Sequence, residues 1–90
     1  MTNEELAKEI QSGDRDKLLD LWAQVKRFAH NLAYKWTVAL NGRGGLSVDD
    51  FEQVAFLALL EALEGWRPEG GAFLTWYGLL LKSAFPRRQG

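Results

Sequence analysis

The sequence contains no cysteine, a single histidine and only two prolines, and it has almost no net charge: eleven Lys and Arg face twelve Asp and Glu across 90 residues. Without cysteine, a disulfide scaffold and a thiolate metal site are excluded, which fits a reducing compartment. No apolar run is long enough to span a bilayer. The longest uncharged stretch, Gly70 to Leu81, falls well short of about 20 residues. Glu4 and Glu5 stand where a secretion signal would be basic, so none is expected. A balance of −1 argues against a self-sufficient nucleic-acid binder, which is usually strongly basic. What is present is apolar and aromatic. Hydrophobic residues make up 47% of the chain and four are tryptophans, too much for a disordered segment. The length allows one small domain.

The neutral total hides an uneven distribution. Residues 1–46 carry seven bases and six acids. Residues 47–69 set Arg67 against Asp49, Asp50, Glu52, Glu61, Glu64 and Glu69. Residues 70–90 hold Lys82, Arg87 and Arg88 with no acid. The middle is acidic and the end is basic.

Helix signals cover the chain. Thr2-Asn3-Glu4-Glu5 reads as a capping box opening a short helix that runs to Ile10. Ser12-Gly13 ends it, and Asp14 is placed to cap a long second helix. Leu18, Trp22, Val25, Ala29, Leu32 and Trp36 step by four and three along that helix. Asn41-Gly42-Arg43-Gly44-Gly45 breaks it. Ser47 caps a third helix, to about Glu64, with Asp49 and Asp50 in its first turn, where the helix dipole favours acids. Gly65 to Gly71 is a loop, and Ala72 to Phe85 a fourth helix stopped by Pro86. No strand pattern and no repeat is visible. The expected fold is all-α, a compact bundle of three to four helices in one domain over 1–90.

The third helix has two apolar faces. On a helical wheel Phe51, Val54, Ala55, Ala58 and Ala62 form the core arc. Phe56 and Leu60 fall nearly opposite, beside Gln53 and Asp49, where a helix resting on one core should be polar. Either the helix is buried on both sides, or Gln53, Phe56 and Leu60 are a partner-binding stripe framed by acids. On the fourth helix Phe73, Tyr77, Leu80 and Ala84 read as core. Thr75, Leu79, Lys82 and Ser83 lie away from it, with Trp76 at the edge. A boundary tryptophan is either a half-buried packing residue or, beside Lys and Arg, a platform for an unpaired base.

Catalytic chemistry has little to stand on. His30 lies mid-helix among Phe28, Ala29 and Leu32 and reads as structural. Asp49, Asp50 and Glu52 read as a solvated acidic turn rather than general acid–base groups. Gly42, Gly44 and Gly45 do not follow a strand, so a phosphate-cradling loop is unsupported. The expectation is a non-enzymatic protein with no cofactor and no metal.

The motifs in order resemble a known family. Asp50-Phe51-Glu52-Gln53-Val54-Ala55-Phe56-Leu57-Ala58-Leu59-Leu60-Glu61-Ala62, then Trp66, Gly71 and Phe73-Leu74-Thr75-Trp76, are similar to region 2 of bacterial RNA polymerase sigma factors of the sigma-70 family. Gln11-Ser12-Gly13-Asp14 resembles the start of the alternative, extracytoplasmic-function-like members. The likeness covers nearly the whole chain. It implies a cytoplasmic transcription initiation module. The third helix (47–64) would dock on the clamp-helix coiled coil of the polymerase β′ subunit through Asp50, Gln53, Val54, Phe56 and Leu60. The fourth (72–85) would meet the minus-ten promoter element, mainly on the non-template single strand. A flipped base would stack on Trp76, with Thr75, Leu79, Lys82, Ser83, Arg87 and Arg88 along the DNA. The family also admits an anti-sigma partner, and no membrane is implied.

The chain departs from the family in three places. Leu79 and Leu80 stand where housekeeping members have adjacent tryptophans, so the DNA-melting aromatics are reduced. The basic continuation of the fourth helix is short, closing at Pro86-Arg87-Arg88-Gln89-Gly90. Region 4, which reads the upstream element, is absent from these 90 residues; the chain is either a domain excised from a longer protein or a natural stub, and an end just after the last motif favours the first. Two rival readings follow: a polymerase-binding or other protein–protein module of the same fold that does not read DNA, and a bundle that self-associates through Phe56 and Leu60.

Overall fold

A computed structural model describes the backbone of residues 1–39 and 48–88, with the side chains of 1–32, 34, 35 and 51–84. Its helices are α1 (Asn3–Gln11), α2 (Lys17–Ala39), α3 (Val48–Gly65) and α4 (Phe73–Arg88), with a single 3₁₀ turn at Pro68–Gly70 between α3 and α4. The all-α expectation holds. The expected break at 41–45 and the Ser47 cap lie outside the described residues. None of the described helices is long and apolar enough to cross a membrane.

The ends of α1 follow the local chemistry of its sequence. The Glu5 amide donates to the Thr2 hydroxyl at 3.1 Å, and the Thr2 amide donates back to the Glu5 carboxylate at 2.9 Å. The Thr2 amide, and after it the Thr2 hydroxyl, hold the Glu5 carboxyl below its ordinary pKa. The capping contribution is therefore complete above the unfolded carboxyl range and is lost as pH falls through the lowered value. At the other end the Gly13 amide donates to the Ile10 carbonyl and the Asp14 amide to the Glu9 carbonyl, each at 3.0 Å. This is the paired closure of a Schellman turn. It requires a left-handed residue, and Gly13 has φ of +112°. The turn carries on through residues 14–16, so α2 starts at Lys17 rather than at an Asp14 cap. The Lys17 and Leu18 amides reach only three residues back, to Asp14 and Arg15.

The core is apolar and draws on all four helices. From α3 it takes Phe51, Val54, Ala55, Ala58 and Ala62, the predicted arc, and adds Leu59 and Leu63. On α2 the fully buried line is Leu21, Val25 and Ala29, with Leu18, Trp22, Phe28 and Leu32 half-buried at its margins. The inward face is thus turned by about one residue from the predicted stripe. Trp36 lies outside the described side chains. On α4 the core residues are Phe73, Tyr77, Leu81 and Ala84, while Leu80, expected in the core, is half-buried. Small residues set the approach of the helices. A Cβ on Gly78 would lie 3.3 Å from the Phe28 ring, so α4 meets α2 where it has no side chain.

α4 does not stop at Pro86. Proline keeps a helical φ and removes one amide donor. In the last turn it forfeits one backbone bond without turning the chain, and the helix runs to Arg88.

Tyr77 is the main polar tie within the core. Its hydroxyl donates to the Ala55 carbonyl at 2.7 Å, and burial pushes the phenol pKa well up. Tyr77→Phe should lower stability by about 1 kcal/mol, the usual net value of such a bond, measured by urea unfolding. Gly13→Ala should lower it by about 1–2 kcal/mol, because an L side chain resists the left-handed conformation. A melting midpoint equal to that of the parent would contradict either assignment.

Candidate functional site

Along its outward side α3 presents Gln53, Leu57, Leu60, Glu61 and Glu64, all exposed. Leu57 is 44% and Leu60 36% exposed. Phe56 stands between this side and the core. It is half-buried, meeting the Trp22 ring edge-on with centroids 5.4 Å apart and planes at 87°. A shallow depression opens there, lined by Trp22, Glu52, Gln53, Phe56 and Leu57. The two readings of the second stripe are therefore divided between its residues: Phe56 packs on α2, and Leu60 faces solvent. Val54 is 8% exposed and supports the stripe from within the core. The side chain of Asp50 lies outside the described residues.

Leu57 and Trp22 belong to this surface and were missed as surface residues. A sequence signal for Leu57 was available. Positions 53, 57, 60 and 64 step by four, three and four, the spacing of a coiled-coil seam. Trp22 carried no such signal, because its position depends on how α2 is rotated against α3.

Glu52 corrects the picture of a merely solvated acidic turn. Its carboxylate accepts from His30 Nε2 at 2.8 Å and lies 3.6 Å from Lys26 Nζ. His30 is the structural residue expected, a tie from α2 to α3. The groups are about one-third to one-half exposed, so the cluster orients Glu52 more than it stabilises the fold.

On α4 the outward residues Thr75, Leu79, Lys82 and Ser83 are exposed. They fall at helical intervals of four, three and one, which places them on one face. Leu79 is 57% exposed. Arg87 and Arg88 continue the helix, with side chains outside those described.

Trp76 is half-buried at the edge of this face. Its indole N–H donates to the Ala62 carbonyl at 3.1 Å, and its ring lies over Gly65, where an added Cβ would come within 3.1 Å of Cζ2. The side of Trp76 toward α3 is thus fixed by packing. Behind it, buried Trp66 closes the α3–α4 loop by donating from Nε1 to the Gly71 carbonyl at 3.1 Å. Gly71 has φ of +106°, which again favours glycine. α1 ties both ends of the same loop. The Glu4 carboxylate accepts the Phe73 amide at 2.8 Å, placing a negative charge at the start of α4. The Gln11 carboxamide donates to the Leu63 and Trp66 carbonyls, both at 2.8 Å.

Among the described residues the geometry offers two surfaces. One is a helix face with apolar knobs and acidic flanks. The other is a helix face with one basic side chain and an anchored indole. Among the described residues, no three His, Cys, Asp or Glu come together to hold a metal ion.

A comparison with protein families agrees with the motif order read from the sequence. Sigma-70 region 2 matches residues 21–85, from α2 through most of α4. No curated protein and no solved structure matches the chain. With most of its length inside that match, the chain belongs to the sigma-70 region 2 family and is a transcription initiation module of the sigma-factor type.

Proposed function

We propose that α3 docks on the β′ clamp helices of RNA polymerase and that α4 meets the minus-ten promoter strand. The observation that carries the docking half is the outward seam of α3. Gln53, Leu57, Leu60 and Glu64 repeat at coiled-coil spacing, and two exposed leucines sit at its centre. A partner coiled coil would bury Leu57 and Leu60 as knobs and meet Phe56 and Trp22 at the depression beside them. Gln53 would supply polar contacts with Asp50 one turn before it, Val54 would brace the helix from inside, and Glu61 and Glu64 would meet basic groups of the clamp.

For the promoter half, the supporting features are Trp76 and the face beside it. An unpaired base would stack on the indole, while Thr75, Lys82 and Ser83 contact the strand and Leu79 lines its path. Arg87 and Arg88, on the last turn of α4, would extend the electrostatic contact. The module need not be basic overall, because polymerase holds the DNA beside it. This reading makes the protein a cytoplasmic one, and an anti-sigma factor would compete for the same α3 seam.

A second reading rests on Leu79. An exposed leucine on the α4 face suits a protein partner, as in a polymerase-binding module that does not read DNA. Fluorescence anisotropy on a single-stranded minus-ten oligonucleotide, with and without polymerase, separates the two. Sequence-dependent binding in the polymerase complex supports the promoter reading, and its absence supports the rival.

Two outcomes are expected. The triple variant Gln53→Ala, Phe56→Ala, Leu60→Ala should weaken capture of polymerase core by at least about thirtyfold, as for a central interface cluster. Undiminished capture removes the docking assignment. Trp76→Ala should weaken minus-ten strand binding by about 1–3 kcal/mol in the polymerase complex. Trp76→Phe, which keeps a ring to stack on, should lose less. Equal losses in the two variants would contradict stacking.

A further inference from the structure

The last turn of α3 is where α1 and Trp76 meet. A helix leaves its final four carbonyls without intrahelical partners. Here the Ala62 carbonyl accepts from the Trp66 amide at 2.8 Å and from Trp76 Nε1 at 3.1 Å. The Leu63 carbonyl, and that of Trp66 just beyond the helix, accept from Gln11 Nε2. A primary carboxamide has two N–H donors, and both are engaged. Because both partners are carbonyls, the nitrogen and not the oxygen of the carboxamide must face them. Gly65 lies between these anchor points and carries the indole ring on its bare backbone.

We propose that Gln11 is a positioning residue for Trp76, holding the α3 terminus in the one conformation that cradles the indole for a stacked base. The role rests on the reading of Trp76 as a base platform. It is not part of the family match, which begins at residue 21, beyond the whole of α1. Without the Gln11 donors, the Leu63 and Trp66 carbonyls would have to find other partners. The terminal turn would then be free to fray by a residue. Fraying there moves Ala62 and Gly65, the two groups that fix the ring. α1 would thus act on the promoter face without touching DNA.

The test uses the ¹⁵N-labelled 90-residue chain, with the Trp76 indole N–H resonance identified by its loss in Trp76→Phe. Gln11→Glu keeps the shape of the side chain and replaces its two donors with a carboxylate. It should shift the Trp76 indole resonance and speed its exchange with solvent about tenfold. It should also weaken minus-ten strand binding in the polymerase complex about threefold to tenfold, in the range of coupled neighbours, with polymerase affinity unchanged. Gln11→Lys, which restores an N–H donor, should recover most of both effects. Gly65→Ala disturbs the ring from the opposite side with Gln11 intact, and should produce the same pair of changes even if Gln11→Glu does not fold. A Trp76 resonance unmoved by Gln11→Glu, or moved with no change in DNA binding while Trp76→Ala does weaken it, overturns the positioning role. If Trp76→Ala itself leaves DNA binding unchanged, the platform reading falls, and the positioning role with it.

Discussion

Close contact between α3 and α4 depends on alanine. Ala55, Ala58 and Ala62 give α3 a run of small buried residues, and α4 brings Phe73, Tyr77 and Leu81 into the same core. Only with small residues opposite can the Tyr77 hydroxyl reach the backbone of α3 at Ala55. Larger side chains on that arc would push the helices apart, and interiors this dense do not absorb added methylenes without strain. The rest of the bundle is arranged around this pair. α2 meets it through Val25, Ala29 and the Phe28–Tyr77 ring contact, at a centroid distance of 6.2 Å. α1 closes it at the loop end.

Much of this was legible in the sequence because it is local. Thr2 and Glu5 lie three residues apart and cap one another. Gly13 follows the last turn of α1 and ends it. The core arc of α3 follows from helical spacing alone, since its alanines and valine fall on one side at any rotation. What periodicity could not settle was rotation where two apolar residues compete. Leu21 and Trp22 are adjacent on α2, as are Leu80 and Leu81 on α4. In each pair the rotation set by the neighbouring helices decided: Leu21 and Leu81 are buried, while Leu80 is half-buried and Trp22 meets Phe56 at the margin. The Gln11 and Glu4 contacts span 52 or more residues, and no local rule points to them.

The acidic middle also looks different once folded. Of its carboxylates, Glu52 is drawn to His30 and Lys26 of α2, while Glu61 and Glu64 remain exposed on the seam. The charge excess read from the sequence therefore does not fall evenly on one surface. Among the described side chains of α3, the exposed acids are Glu61 and Glu64, toward its C-terminal end beside Leu60. A partner that pairs charges with this helix would meet them at that end, and near Glu52 it would meet a carboxylate already oriented by its own chain.

The bond from Trp76 to Ala62 carries one more consequence. An indole has a single polar hydrogen, and here the protein's own backbone takes it. What remains is a flat aromatic surface, and every nucleobase has a face that can lie on such a surface. A base stacked on Trp76, as proposed, would be registered as unpaired without being registered by identity. Any discrimination between bases would fall to groups with free donors and acceptors nearby. On the proposed reading of α4, the tryptophan would report strand separation, and the reading of letters would belong to other side chains.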